Sequence, residues 1–319
     1  MSTKNIVPRA DGEGSLGTAA KRWGDVQSKK VTSEGEVSAG SVTSTGAITG
    51  ASAAITGEVS AGSVTSTGAI TGASVVIGGK DVASILLVNN AGAHNGIFRG
   101  KSLGASVTAE QWTAIKAGTF DDLYIGDYWT INGVEWVIVA FDYYYNTGDT
   151  ACTTHHVVVI PRDILYSAQM NTTNVTTGAY VGSAMYTTNL ANAKTTITNA
   201  FGSEHILTIR QRFQNAVTAG YESHGAWYDA SVWLMAEANV YGGNIFKNVD
   251  NGTGWPDNYS IDNRQYPYFS FVTPSEKRET YWLRDVAPVT DFTHVGEGGS
   301  CGTFAASNSD GMRPAFCIK

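Results

Sequence analysis

Near the end of the chain, Tyr281-Trp-Leu-Arg-Asp285 and Gly311-Met-Arg-Pro-Ala-Phe316 flank the stretch APVTDFTHVGEGGSCGTFAASNS at 287–309. Aromatic and β-branched residues broken by Gly, Ser and Asn clusters are strand chemistry. The expectation is short strands at Thr280–Arg284, Phe292–Val295, Thr303–Ala306 and Met312–Ile318. The same pattern lies upstream, where Asn132-Gly133 separates Tyr128–Ile131 from Val134–Tyr145. Asn-Gly between β-rich runs predicts a type I′ hairpin. Its second strand is apolar on both faces (Trp136 and Ile138; Val137, Val139 and Phe141), so it should be central and covered on both sides. His156–Pro161 reads as another strand.

Helices are expected between these strands. Thr108 and Gln111 form a capping box before Trp112, Val107 is placed to staple onto Trp112, and Gly118 ends the turn. Leu190, Ala193, Ile197 and Phe201, closed by Gly202, carry helical spacing, as do Ile206, Ile209, Phe213 and Val217, closed by Gly220. A further helix is expected near Asp229–Tyr241. Residues 101–319 therefore read as an α+β domain. Of 8 Trp, 15 Tyr and 11 Phe, only Trp23 and Phe98 precede residue 101. Large aromatics dominate core burial, so the last two thirds form the packed domain and the first third is held together otherwise.

That first third contains GEVSAGSVTSTGAITGAS twice, at Gly35–Ser52 and Gly57–Ser74. Val37, Val42 and Ile48, then Val59, Val64 and Ile70, are spaced by Gly, Ser and Thr, the pattern of short strands and small-residue turns. So few apolar side chains cannot offset backbone ordering in one chain, and such repeats complete their core with neighbours. Three chains wound together supply them. The reading is an intertwined, all-β, trimeric β-helix-like shaft over 31–79, followed by a linker at 80–100. A flexible linker throughout is the competing reading, and the regular Val/Ile placement speaks against it.

Charge narrows the function. With 28 Asp+Glu, 21 Lys+Arg and a net charge of −7, the chain has no basic stripe for phosphate contacts, so nucleic acid is not an expected partner. The longest apolar run, Trp136–Phe141, is too short for a membrane span of about 20 residues. The polar start MSTKN shows no secretory signal. Cys152, Cys301 and Cys317 lack CxxC spacing and read as free or buried thiols, a single disulfide being the alternative.

Two resemblances add to this reading. Asn5–Val26, with Gly14, Ser15, Leu16, Gly17, Thr18, Lys21, Arg22 and Trp23, resembles the start of bacteriophage tail-fibre and appendage proteins, in which a trimeric β-structured shaft follows. The resemblance implies a homotrimer on the virion surface, made in the bacterial cytoplasm, with residues 1–30 meeting other virion structural proteins. The final segment, with Trp282, Arg284, Gly311 and Arg313, resembles the end of C-type-lectin-like domains. The similar branch is shared by formylglycine-generating enzymes and retroelement-diversified phage receptor-binding proteins. There these four positions are structural anchors around an exposed variable segment. The catalytic cysteine pair of the formylglycine enzymes has no counterpart here, and neither has the Glu-Pro-Asn or Trp-Asn-Asp pattern of calcium-dependent lectins.

The expected function is host attachment: a fibre adhesin whose head, 101–319, binds a bacterial surface glycan or protein. Candidate receptor-binding residues are Asp291, Phe292, His294, Phe304, Ser307 and Asn308, since rings among small polar groups suit recognition. The aromatic stretch Trp255–Tyr268 is a second candidate. No catalytic residue, metal site or cofactor is expected. Adjacent His155 and His156, read as strand residues, should point to opposite faces and share no metal. Asp121, Asp122 and Asp142 would be the carboxylates of a fibre-borne depolymerase, the enzymatic alternative. A structural head fibre without a receptor is the third possibility.

Overall fold

In the computed structural model the chain divides into two compact units, Met1–Ile70 and Thr71–Lys319. The structure describes residues 10, 20–21, 30, 76–77, 80–81, 91–247, 264–287 and 289–319. The 35–74 repeats and nearly all of the tail-fibre-like opening lie outside the described residues, as does Trp255–Asn258.

The second unit is mixed α and β, with most strands in open sheets. Its first described elements in sequence are a two-stranded ribbon, β1 (Val76–Ile77) with β2 (Lys80–Asp81). The packed body begins at α1 (Ala91–His94) rather than at Lys101. His94 is buried, and its Nδ1 lies 2.6 Å from the Leu123 carbonyl. Asn95 exchanges two hydrogen bonds with the Phe141 backbone, so 91–100 is part of the domain and not linker.

α2 (Ala109–Ala117) has the expected capping box, Thr108 and Gln111 each accepting the other's backbone N–H, and Gly118 closes it in the left-handed region. β3 (Tyr128–Ile131) and β4 (Val134–Phe141) form the Asn132-Gly133 hairpin, with both turn residues at positive φ as type I′ requires. β4 pairs next with β5 (Val157–Pro161), and Trp136 to Phe141 are all buried, so this strand is interior and covered as its composition demands. The outer edge of β3 is capped by chain: Leu103 donates to the Tyr128 carbonyl and Thr130 to that of Gly104. That leaves fewer free ladder groups for another molecule to pair with.

The remaining elements are β6 (Ser167–Gln169), α3 (Leu190–Phe201), β7 (Ile206–Leu207), β8 (Ile209–Thr218), β9 (Tyr221–Ala230), β10 (Val232–Trp233), α4 (Glu237–Tyr241), β11 (Tyr281–Val286), β12 (Asp291–Val295), β13 (Cys301–Ala305), β14 (Ser309–Gly311) and β15 (Ala315–Ile318). One sheet runs β10-β15-β5-β4-β3, with β7 also on β15; a second runs β13-β12-β11-β14-β6; β8 and β9 form a separate ribbon. α3 buries Leu190, Ala193, Ile197 and Phe201, the expected face. Phe201, Trp136 and Phe316 meet at ring separations of 5.2 to 5.6 Å and tie α3 to β4 and β15. Trp136 meets the other two rings edge-on, a favoured aromatic arrangement.

Three expectations are corrected. The helix expected over Ile206–Val217 is strand: Ile209, Gln211 and Phe213 are buried alternately, and the chain reverses at Ala219-Gly220. The helix expected near Asp229–Tyr241 begins only at Glu237, because Val232 and Trp233 pair with β15. The strand expected over Met312–Ile318 begins only at Ala315, and Ser309–Gly311 before it belongs to a different sheet. Gly311 bridges Tyr281, whereas Ala315–Ile318 joins β5, and Met312-Arg-Pro314 carries the chain between them. Pro314 has no N–H to continue a ladder. No helix among the described residues is long and apolar enough to cross a membrane.

Candidate functional site

The strands expected at Phe292–Val295 and Thr303–Ala306 are β12 and β13, and their register sorts the candidates. His294 faces Trp282 on β11 and Gly302 on β13, and Phe292 faces Phe304. Alternation puts Trp282, Phe292, His294, Gly302 and Phe304 on one face and Asp291 on the other. His294 and Phe304 stack at 5.2 Å with ring planes 16° apart, over Trp282 at 6.3 and 5.8 Å. Phe304 is 36% exposed, whereas Trp282 and Phe292 are fully buried. Phe292 therefore belongs to the core and not to a contact surface. Asp291 accepts from the Thr290 hydroxyl at 2.7 Å, off the stack.

Gly302 makes the stack possible, since a Cβ there would lie 2.7 Å from His294 Nε2. Asp310, buried on β14, accepts from His294 Nδ1 at 2.8 Å, from the Gly311 N–H at 2.8 Å and from the Thr280 hydroxyl. The carboxylate can only accept, so Nδ1 holds the proton in this contact. Among the described residues no hydroxyl or thiol bonds to Nε2, so this Asp–His pair stands without the nucleophile of a triad. Beside the stack, the Ser307 N–H donates to Asn174 Oδ1 at 3.1 Å, and Gln169 Nε2 donates to the Ser307 carbonyl. The Asn308 N–H closes a turn onto the Ala305 carbonyl at 2.8 Å. Ser307 and Asn308 are half-buried, and Asn174 and Gln169 are exposed.

The four anchors hold this surface from below. Trp282 Nε1 donates to the Ala168 carbonyl at 2.9 Å, tying β11 to β6 across β14. Arg284 is buried with its guanidinium 5.1 Å from the Phe213 ring, and Nη1 donates to the Leu234 carbonyl at 3.2 Å. Arg313 donates to the carbonyls of Pro161 at 2.9 Å and Pro274 at 3.0 Å, joining the end of β5 to the segment before β11. Gly311 leaves no room for a side chain: a Cβ would lie 2.3 Å from the Thr280 carbonyl oxygen and 2.4 Å from Ile164 Cγ2.

The other titratable groups are engaged structurally. Asp122 is bound by Arg99 and Lys101, which hold its carboxyl below its usual range, and Asp121 accepts from Thr119. His155 and His156 precede β5 instead of lying in it, and Asp142 accepts from both, from His155 Nδ1 at 2.7 Å and the His156 N–H at 2.9 Å. His156 is buried, which lowers its pKa, and its Nε2 accepts from the Tyr144 N–H at 3.1 Å. The three cysteines are free thiols, with Cys317 inside the core. Among the described residues no group of three His, Cys, Asp or Glu side chains forms a metal site.

A second concavity, of about 500 Å³, is lined by Trp112, Lys116, Thr154, His155, His205 and Lys319. Trp112 and His205 stack at 3.8 Å, 6° from parallel, as its wall. Composition gave no pointer to it, because its residues lie far apart in the chain. The chain matches no protein-family model, no curated protein and no solved structure.

Proposed function

We propose that this protein is a bacteriophage fibre adhesin: a homotrimer attached to the virion through residues 1–30, with a C-type-lectin-like head that binds the bacterial surface. The observation that carries the reading is the half-open His294–Phe304 stack, fixed by Asp310 and Trp282. A rigid, half-exposed ring suits a sugar ring or a protein side chain, and it needs no reorganisation to bind. The repeats and the tail-fibre-like opening support the trimer, which adds avidity to three weak sites.

The test is binding of labelled full-length protein to host cells. Phe304→Ala should lower apparent affinity about tenfold or more, as loss of a central aromatic anchor does. Asp291→Ala, on the opposite face, should leave binding unchanged. Equal binding by Phe304→Ala and the parent protein would remove this surface as the receptor site. Release of reducing ends from host polysaccharide would turn the reading toward a depolymerase.

A further inference from the structure

We propose that Lys247 and Asp285 become joined after folding by an intramolecular amide bond between Lys247 Nζ and Asp285 Cγ, with Glu222 carrying the proton. The inference is independent of the receptor reading.

Lys247 Nζ lies 2.9 Å from Asp285 Oδ1 and 3.2 Å from Glu222 Oε2. The three side chains expose only 3%, 2% and 1% of their surface. They come from three places, the segment after α4, strand β11 and strand β9. Each is held in position. Asp285 Oδ2 accepts the Glu237 N–H at 2.5 Å, which orients the carboxyl and draws electron density from its carbon. Glu222 Oε1 accepts the Val286 N–H at 2.8 Å, which turns Oε2 toward the lysine. Glu237 is occupied elsewhere, accepting the backbone N–H groups of Ile245, Phe246 and Lys247. That grip delivers the amine to Asp285.

Two carboxylates thus flank one ammonium out of contact with water. Ions in such a place lose their hydration, and condensation removes one charge of each sign. Fixed orientation supplies the proximity, and the closed site keeps water from reversing the reaction. In the step, the Lys247 ammonium passes a proton to Glu222, and the free amine attacks Asp285 Cγ. Glu222 returns the proton to the departing oxygen, which takes a second from the nitrogen and leaves as water. Ammonium and carboxylate become amide and one water, with no oxidant or other reactant. Burial pushes the Glu222 pKa up to about 7, which suits a group that takes a proton from the ammonium and then gives it back.

Intact-mass measurement on purified full-length protein, aged at neutral pH, should give the sequence mass less one water. Trypsin should release a joined peptide linking the Lys247 region to the peptide that begins at Asp285, after cleavage at Arg284. Lys247→Met and Glu222→Gln should restore the full mass. A parent mass equal to the sequence, or a water lost at any other residue, overturns the proposal whether or not the variants fold. Water loss that persists in Glu222→Gln overturns the role of Glu222.

Discussion

Glu222 contributes to stability in the sense opposite to an exposed carboxylate. Burial raises its pKa from 4.5 to about 7, with the Lys247 ammonium opposing the shift. Below about 4.5 the group is neutral in both the folded and unfolded chain. As pH climbs toward about 7 the unfolded form ionises first, so stability is lost over that window, by about 3 kcal/mol. Joining Lys247 to Asp285 would strengthen the trend, because the opposing ammonium disappears. Urea unfolding of the parent and of Glu222→Gln across this range measures it. The gap between the two should shift with pH in the direction given, and a constant gap would contradict it. None of this was visible in the sequence, where Glu222, Lys247 and Asp285 stand far apart. Only the tertiary structure brings their charges together, with the Val286 N–H holding Glu222 beside Lys247 and Asp285.

At the scale of elements, the β8–β9 ribbon shows how one pattern serves two periods. Ile206, Ile209, Phe213 and Val217 fit a helical face, yet Ile209, Gln211 and Phe213 also alternate. Gly220 closes a helix or a two-residue turn equally well, because both need positive φ. The decisive signal is Ala219, which adopts φ 54° beside Gly220 at 84°, the pair of left-handed residues a tight hairpin needs. Alanine is a poor occupant of that region. Ala219→Asn should therefore stabilise the domain by about 0.5–1 kcal/mol, read as a rise in thermal midpoint. A fall would mean that the turn at 219–220 is not of this form. By contrast, the Thr108–Gln111 box and the Asn132-Gly133 hairpin were legible outright. Each rests on contacts between residues no more than three apart, which tertiary packing did not override.

For the whole molecule, the homotrimer is the prediction that most divides the readings. Light scattering on the full-length chain should give three times the sequence mass. A chain starting at Ala91, where the packed body begins, should fall to the mass of one chain. A monomeric full-length protein would reduce the repeats to a linker and leave the fibre reading on resemblance alone. The boundary was misplaced from sequence because residues 91–100 carry a single aromatic, Phe98, and are held mostly by backbone and charge. Arg99 donates to Asp127 through Nε and Nη2, and Asn95 pairs with the Phe141 backbone.

Sequence alone determined what depends on local chemistry and on composition: the α+β class of the second unit, the covered β4 strand, α3 with its buried face and the capped α2. It also marked Trp282, Arg284, Gly311 and Arg313 as anchors and His294 and Phe304 as candidates. Tertiary structure decided the rest. It buried Phe292 beside the half-exposed His294–Phe304 stack, put Asp291 on the other face, and divided 309–318 between two sheets. Those outcomes depend on register between strands distant in sequence, and a shift of one residue exchanges the faces. Periodicity within a strand names two faces; only the partner strands decide which of them meets water.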